Sequence, residues 1–517
     1  MEERVKAGTD KSTGYDRIIK YTGVFGGVQT LTNLITLVKS KLVAHFIGPA
    51  GMGITYAFNR ALDLVSKTTD LGISFSAVKT ISEAMEEDAD EGVERQLVIV
   101  RSWCLWLGIA GTLACFLLAP LFSALSFDGD YSYTLSFRLL SVVVGATTLA
   151  GAERAILKGT HQLKQLAMNQ IWVVLATLLI ATPVYLWLGM QGIVPVLVLT
   201  SLATLALTCW YSFRAFPYRV QLFSPRVLHD GSYIVRLGIN YTIAGFLGAG
   251  VLFLVSAYML KYGMAEEVGY YSNAVILSSY LSMLVFSAVE TDFFPRLSAV
   301  NRDREASRAL VNEQTEVLVL LIAPLVALFI VFLPVIIVVL LKPSFLPMLE
   351  VTQWAALALF FTALTRPMSF MSLSKGDSLT YLVQELLYDA FMAVSVILGY
   401  HYGGLRWAGI ALLASGVFDW LVNLVITSVR YGFRPSRRVN GFAVLFGVLL
   451  ALFPLCNALL DGGVRIAAEA VAAVATTVLS LFFLYKETDF LKKIAAKLKV
   501  GSSKELTEST RNELKQK

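Results

Sequence analysis

Charge is what this sequence is short of. Only 15% of its 517 residues are Asp, Glu, Lys or Arg, against about 25% in ordinary soluble chains. Hydrophobic residues make up 56% and mean hydropathy is +0.66. A soluble enzyme of this length is excluded, because too little polar surface is left to cover it. Cysteine is scarce too: Cys104, Cys115, Cys209 and Cys456 all lie in apolar stretches. Cys104 and Cys115 fall too far apart on one expected helix to bridge, so no disulfide framework is expected. Four scattered histidines give no metal-ligand spacing, and no cofactor is expected. The first seventeen residues lack the short apolar core and small-residue cleavage site of a signal peptide. The net charge of +6 speaks of topology and the membrane surface, not of nucleic acid.

What the chain has is apolar runs of membrane length. They predict an all-α polytopic membrane protein of about fourteen helices. The runs lie near 18–46, 52–81, 96–125, 132–157, 163–189, 192–213, 233–260, 267–294, 310–341, 346–374, 378–401, 406–429, 440–460 and 464–485. Basic residues concentrate in alternate loops, from Arg4 to Lys20, at Arg95, Lys158, Arg214 to Arg236, Arg296 to Arg308, Lys375, Arg430 to Arg438 and beyond Lys486. The other side holds only Lys261, Lys342, Arg406 and Arg465. The asymmetry puts both termini of a multi-pass membrane protein in the cytoplasm. The expected organisation is a cytoplasmic segment 1–17, helices 1–6 over 18–215, a cytoplasmic linker 216–232, helices 7–12 over 233–432, helices 13–14 over 433–485 and a basic tail 486–517.

The stretch from Gln29 to Asp70 is the most informative. It reads as two helices joined by a turn over Gly48–Gly53, and both carry charge. Lys39 and Lys41 lie on the first. Arg60, Asp63, Lys67 and Asp70 lie on the second. At about 100° per residue these four fall within a wedge of roughly 80° on one face. Gln29, Asn33, Thr36 and Ser40 make a matching polar stripe on the first helix. Charge at the bilayer centre costs roughly 2.5 kcal/mol or more per residue and therefore faces protein or water. Two readings stay open. The stripe lines a hydrated cavity and binds an anion, with Lys39, Lys41, Arg60 and Lys67 as the cations. Alternatively Arg60 pairs with Asp63, and Lys67 with Asp63 or Asp70, so that the stripe neutralises itself. Lys39 and Lys41 point about 160° apart on their helix, so only one of them faces the stripe. The second half supplies Glu385, Asp389 and Asp419, candidates for ion coupling by protonation or for pairing with basic residues. Glu290 and Arg296 sit at a cytoplasmic helix end, as a gate would.

The two halves repeat. Gly53 and Gly269 are offset by 216, as are the segment ends Lys79–Ser82 and Pro295–Ser298. Lys158-Gly159 recurs as Lys375-Gly376, and Gly192-Ile193 as Gly409-Ile410, each offset by 217. An even number of helices per copy makes the copies parallel, which is transporter architecture with rocking halves. Helices 13 and 14 stand outside the repeat.

The run Lys41-Leu42-Val43-Ala44-His45-Phe46-Ile47-Gly48-Pro49-Ala50-Gly51-Met52-Gly53 resembles the Lys-Leu-x-Ala-x-x-x-Gly-Pro-x-Gly-x-Gly end of helix 1 in the Wzx-type polysaccharide flippases of the multidrug/oligosaccharidyl-lipid/polysaccharide (MOP) superfamily. Phe293–Ser298 and the turn holding Lys375 are also similar to that family. The resemblance, over about 18–432, implies two six-helix lobes around a V-shaped cavity. It implies movement of an undecaprenyl-pyrophosphate-linked oligosaccharide from the cytoplasmic to the periplasmic leaflet. The lipid-linked substrate, the bilayer and other polysaccharide-assembly membrane proteins are the implied partners. Since one chain holds both lobes, a monomer is expected, and not an enzyme. Twelve helices are usual in that family, so the last two are a departure that also occurs in lipid II flippases. A lipid II-type flippase and a multidrug antiporter of the same superfamily are the alternatives. A membrane polymerase fits less well, for want of a large periplasmic loop.

Overall fold

The computed structural model describes residues 11–86 and 90–487, and all regular structure in them is helical. The helices are α1 (Lys11–Thr69), α2 (Ile73–Glu86), α3 (Asp90–Ser126), α4 (Thr134–Gly159), α5 (Leu163–Leu188), α6 (Ile193–Ala215), α7 (Pro225–Tyr262), α8 (Ala265–Ala299), α9 (Arg304–Leu340), α10 (Leu349–Ser374), α11 (Ser378–Tyr431), α12 (Arg437–Leu459) and α13 (Gly462–Glu487). Two of these are really pairs. α1 breaks at Gly48 (φ 65°), and α11 at Gly403 and Gly404 (φ 64° at the latter). Only glycine takes such a φ without strain. Among the described residues, nine stretches are long and apolar enough to cross a membrane, and Leu163–Ala215 and Ser378–Tyr431 each hold two helices. The two arms of α1 and helix α8 complete the set.

Two boundaries differ from the sequence reading. The turn expected over Gly48–Gly53 is confined to Gly48, and the second arm starts at Pro49, where a missing N–H costs a helix nothing. The single helix expected over 52–81 is broken into the second arm of α1 and α2. Leu71 and Gly72 both take positive φ (46° and 68°), and Gly72 presses its backbone against that of Gly238. Asp70 sits at the break, where its carboxylate accepts a 2.7 Å hydrogen bond from Ser74 Oγ.

The chain divides into two compact units. The first takes the chain up to Ser272 together with Ile336–Met348; the second takes Asn273–Val335 and the chain from Leu349 onward. The first unit has a core of Ile73, Ile81, Leu97, Ile99, Cys104 and Ile156, joined by Val227 and Ile234 from α7. Phe58 packs edge-on against Phe137, beside the stacked pair Phe127 and Tyr133 (3.9 Å between centroids).

The repeat-related glycines meet inside this unit. A Cβ on Gly53 would lie 1.7 Å from the Ala265 carbonyl oxygen and 3.0 Å from the Gly269 nitrogen. A Cβ on Gly269 would lie 2.2 Å from the Pro49 carbonyl oxygen. The start of α1's second arm and the start of α8 therefore cross with their backbones in contact, at equivalent points of the two copies. Nearby, Lys342 Nζ donates to the His45 carbonyl (3.3 Å) and Tyr270 Oη to the Ser344 carbonyl (3.1 Å). The Lys342 cation thus faces the carbonyl end of α1's first arm, where a helix dipole favours positive charge.

At the other end of the unit, α3 staples down the stretch expected to be a linker. Arg101 Nη1 donates to the Pro217 carbonyl (2.6 Å) and Arg101 Nη2 to the Phe216 carbonyl (3.3 Å). Ser102 Oγ accepts from the Gln221 backbone N–H (2.9 Å). Trp106 and Trp103 donate their ring N–H groups to the carbonyls of Leu222 and Val227 (both 3.1 Å). Beneath this, Arg101 makes a two-pronged ion pair with Glu153 of α4 (2.9 and 3.0 Å). Their side chains are only 2% and 5% exposed. Ser212 Oγ donates to the same carboxylate (2.5 Å), and the guanidinium stands over the rings of Phe213 and Tyr218.

In the second unit α9 is the central rod. Val319, Ile322, Ala323, Val326 and Ile330 are all buried against Ala356, Phe360 and Ala363 of α10 and Phe446, Leu450 and Phe453 of α12. α12 and α13, outside the repeat in sequence, are thus part of this core; Asn457 Nδ2 donates to Gln353 Oε1 (2.7 Å) and Ser480 Oγ to the Leu320 carbonyl. The two arms of α11 fold back on each other. Phe391 stacks on Phe418 at 4.0 Å, and Ser395 lies 3.0 Å from Ser415. In the turn before α11, Asp377 accepts from Arg430 Nε (2.6 Å), Tyr431 Oη (2.9 Å) and the Thr380 N–H (3.2 Å). Burial opposes its charge, but the bonds from Thr380, Tyr431 and Arg430 outweigh it and hold this carboxyl at about 2.

Three outcomes test these features. Gly53→Ala is expected to destabilise the protein by about 1–3 kcal/mol or more, as overpacking does, while Gly441→Ala, where a Cβ meets nothing within 4 Å, leaves the melting temperature in detergent unchanged. Arg101→Ala strands a buried carboxylate and is expected to cost about 3–5 kcal/mol, most of it recovered in an Arg101→Met, Glu153→Met double variant. The Asp377 contribution is complete above about pH 4 and is lost as pH falls toward 2. Asp377→Asn therefore melts below the parent at pH 7, and the gap closes in acid.

Candidate functional site

The basic stripe belongs to the first unit. Lys39, on the first arm of α1, is half-buried, and Lys41 is exposed. Asn33, Thr36 and Ser40 of the same stripe are half-buried, and Thr36 Oγ1 is spent on the Thr32 carbonyl (2.8 Å). The Gln29 side chain lies outside the described residues. On the second arm Arg60 is half-buried, Asp63 and Lys67 are exposed, and Asp70 is half-buried with Ser74 as its partner. Ala57, Phe58, Ala61, Leu62 and Val65 of the same arm are buried. The charges therefore turn away from the packed face. Among the described residues none of Lys39, Arg60 and Lys67 forms a direct salt bridge, but Arg60 and Lys67 lie close enough to Asp63, and Lys67 to Asp70, for their charges to act on those carboxylates. The ordering of the arm explains this. Residues three apart share a face, but an arginine can extend outward instead of back along its own helix.

The acids lie in the second unit. A cavity of 310 Å³ opens between α8, α10 and the two arms of α11, and Glu385 and Asp419 both line it. They are 34 residues apart in sequence, and the fold-back at Gly403–Gly404 brings them to one wall. Asp389 follows Glu385 by one helical turn and is not on the lining. Asn423 Nδ2 donates to Asp419 Oδ1 (2.8 Å), which fixes that carboxylate. Sequence reasoning missed three residues here. Arg366 is a basic residue in the middle of apolar α10, its guanidinium 5.9 Å from the Phe286 ring centre; a lone arginine in such a run was the signal available. Ser278 and Asn423 carried no signal, since single neutral polar residues are common in membrane helices.

Arg296 is exposed at the end of α8, and the Glu290 side chain lies outside the described residues. Nearby Phe293 and Phe294 pack on Phe370 (6.2 and 5.9 Å). Among the described residues, no three His, Cys, Asp or Glu side chains stand close enough to hold a metal ion.

Comparison with known proteins bears on what such a molecule is. The solved structures it matches include the lipid II flippase MurJ in an inward closed conformation, with TM-score 0.70 and 12% identity over 90% of this chain and 99% of that one. An inward-facing multidrug resistance MATE family transporter of the MOP superfamily matches with TM-score 0.65 and 15% identity over 78% and 94%. A MOP superfamily transporter from Pyrococcus furiosus matches with TM-score 0.53 and 15% identity over 79% and 93%. At these identities the likeness is one of fold, and the fold is that of the MOP superfamily. The 90% share reaches beyond residue 432, past the twelve helices of the repeat. No curated protein matches the sequence. A family model described as polysaccharide biosynthesis protein matches residues 18–301, more than half of the 517. The chain belongs to the polysaccharide biosynthesis protein family.

Proposed function

We propose that the protein is a Wzx-type flippase, carrying an undecaprenyl-pyrophosphate-linked oligosaccharide from the cytoplasmic to the periplasmic leaflet of the bacterial inner membrane by alternating access. The observation that carries this reading is the stripe of Lys39, Arg60 and Lys67, basic side chains on membrane helices that make no direct salt bridge among the described residues. Cations left unpaired in a membrane span call for an anion. A pyrophosphate supplies one, gripped by arginine as a planar fork and by lysine as a point charge. Membership of a polysaccharide biosynthesis family supports a saccharide-bearing cargo. Lys41, exposed on the other side of its helix, reaches the nearby membrane surface, and Arg296 with Glu290 closes the cytoplasmic end. The chain acts as a monomer with both termini in the cytoplasm.

An inside-negative potential drives each exported negative charge outward by about 2.3 kcal/mol per 100 mV. Proton uptake by Glu385, Asp389 and Asp419 resets the carrier. One observation favours a different reading. The acidic cavity of the second unit also suits an organic cation, as in a multidrug antiporter, and the MATE transporter is a structural neighbour.

Depletion in the native host separates the two. A flippase leaves one undecaprenyl-pyrophosphate oligosaccharide accumulating, seen by mass spectrometry; an antiporter leaves that pool unchanged and alters sensitivity to cationic dyes. In proteoliposomes Arg60→Ala is expected to lower the initial transport rate of that lipid by about tenfold or more, the loss of one charge-assisted contact. The variant should remain monodisperse, and the parent's rate should rise with an imposed inside-negative potential. Normal transport by Arg60→Ala would remove the cation assignment.

A further inference from the structure

Helix α4 carries two cations that the stripe on α1 does not account for. Beyond Val143 every residue of α4 is buried except Thr147, Leu149, Gly151, Arg154 and Lys158. Leu149 apart, these follow one another at spacings of four, three and four, which places them within a wedge of roughly 60°. A helix packed on its other sides thus keeps one narrow strip open.

Two contacts fix what the strip borders. Thr147 Oγ1 lies 3.4 Å from Ser66 Oγ on the second arm of α1. A Cβ on Gly151 would lie 2.8 Å from Ser74 Oγ, the hydroxyl that bonds Asp70. The strip therefore runs beside the stretch of α1 and α2 that holds Lys67. It continues toward the end of α4 with Arg154 and then Lys158.

Neither cation is matched. Arg154 is half-buried, makes no hydrogen bond or salt bridge among the described residues, and has no carboxylate near enough to act on it. In this it differs from Arg60 and Lys67, whose charges act on Asp63. Glu153, the adjacent residue, is spent on Arg101 and Ser212. Lys158 is exposed one turn on and has no salt bridge among the described residues. A half-buried guanidinium without an anion is costly, and a second cation one turn away, about 6 Å along the axis, adds repulsion. One anion shared by the two removes both costs. A single carboxylate satisfies the arginine fork and leaves the lysine; a sugar hydroxyl neutralises neither. A diphosphate offers one phosphate to the planar fork and the next to the point charge.

We propose that Arg154 and Lys158 form a loading site, where the pyrophosphate of the lipid-linked cargo is held before it passes to Lys67 and Arg60. The proposal rests on the flippase reading and adds to it a separate entry step. These two residues then set the cargo concentration at which the carrier fills, and not the rate at which a filled carrier turns over.

The test measures initial transport rate against lipid concentration for the full chain in proteoliposomes, with the undecaprenyl-pyrophosphate oligosaccharide extracted from depleted cells. Arg154→Gln is expected to raise the half-saturating concentration about tenfold, as loss of one charge-assisted contact does, with the maximal rate unchanged. Lys158→Gln is expected to act in the same direction and, being a change at an exposed position, decides the matter if Arg154→Gln does not fold. Lys164→Gln, which removes an exposed cation at the start of α5, is expected to match the parent. Vesicles of phosphatidylcholine, with and without phosphatidylglycerol, separate the two sources of phosphate: a cargo site gives the shift in both. A shift confined to the phosphatidylglycerol vesicles assigns the cations to an ordinary anionic lipid and overturns the loading site. So does an unchanged half-saturating concentration, or an equal shift in Lys164→Gln. Each of these leaves the flippase reading standing, whereas a parent that does not move the lipid overturns both.

Discussion

Every polar group placed in a bilayer must find a partner, and that constraint organises both units of this molecule. Where Arg101 meets Glu153, the requirement is met inside the chain. The guanidinium spends its donors on a carboxylate and two backbone carbonyls, and aromatic rings cover what is left. Elsewhere the chain leaves the requirement open. Lys39, Arg60 and Lys67 make no direct salt bridge among the described residues, although the charges of Arg60 and Lys67 act on Asp63. The first arrangement fixes structure. The second leaves charge on membrane helices that the chain does not neutralise by direct contact.

Glycine decides where helices turn and where they touch. Gly48 and Gly404 take backbone angles that let a long apolar run become two crossings. Gly53 and Gly269 let two helices approach until their backbones meet. The first pair sets topology and the second sets distance. Neither role could be taken by a residue with a side chain.

The number and order of helices were legible because a crossing needs about twenty apolar residues, and such runs stand out. The acids were legible for the opposite reason: Glu385 and Asp419 are conspicuous in an apolar run. The break at Leu71–Gly72 was not legible, since it depends on the backbone of Gly238, far away in sequence. The pairing of Arg101 with Glu153 was hidden likewise, because Arg101 lies near the start of a helix and reads as one more cytoplasmic cation. The stripe's spacing put Arg60 and Lys67 within electrostatic reach of Asp63, but spacing gives proximity and not rotamer, and no direct salt bridge is formed.

The stapled stretch from Phe216 to Val227 has a consequence for how such a protein could have arisen. A chain that repeats itself at an offset of 216–217 looks like two copies joined end to end, and a join of that kind begins as a mere tether. Here the tether has been taken into the body of the first unit, with Arg101, Ser102, Trp103 and Trp106 each holding a successive piece of it. Helix α7, first of the second copy by sequence, has been annexed along with it, its Ile234 buried among the residues of the first core. A cut at the join would therefore take part of the first unit's core away with the second copy.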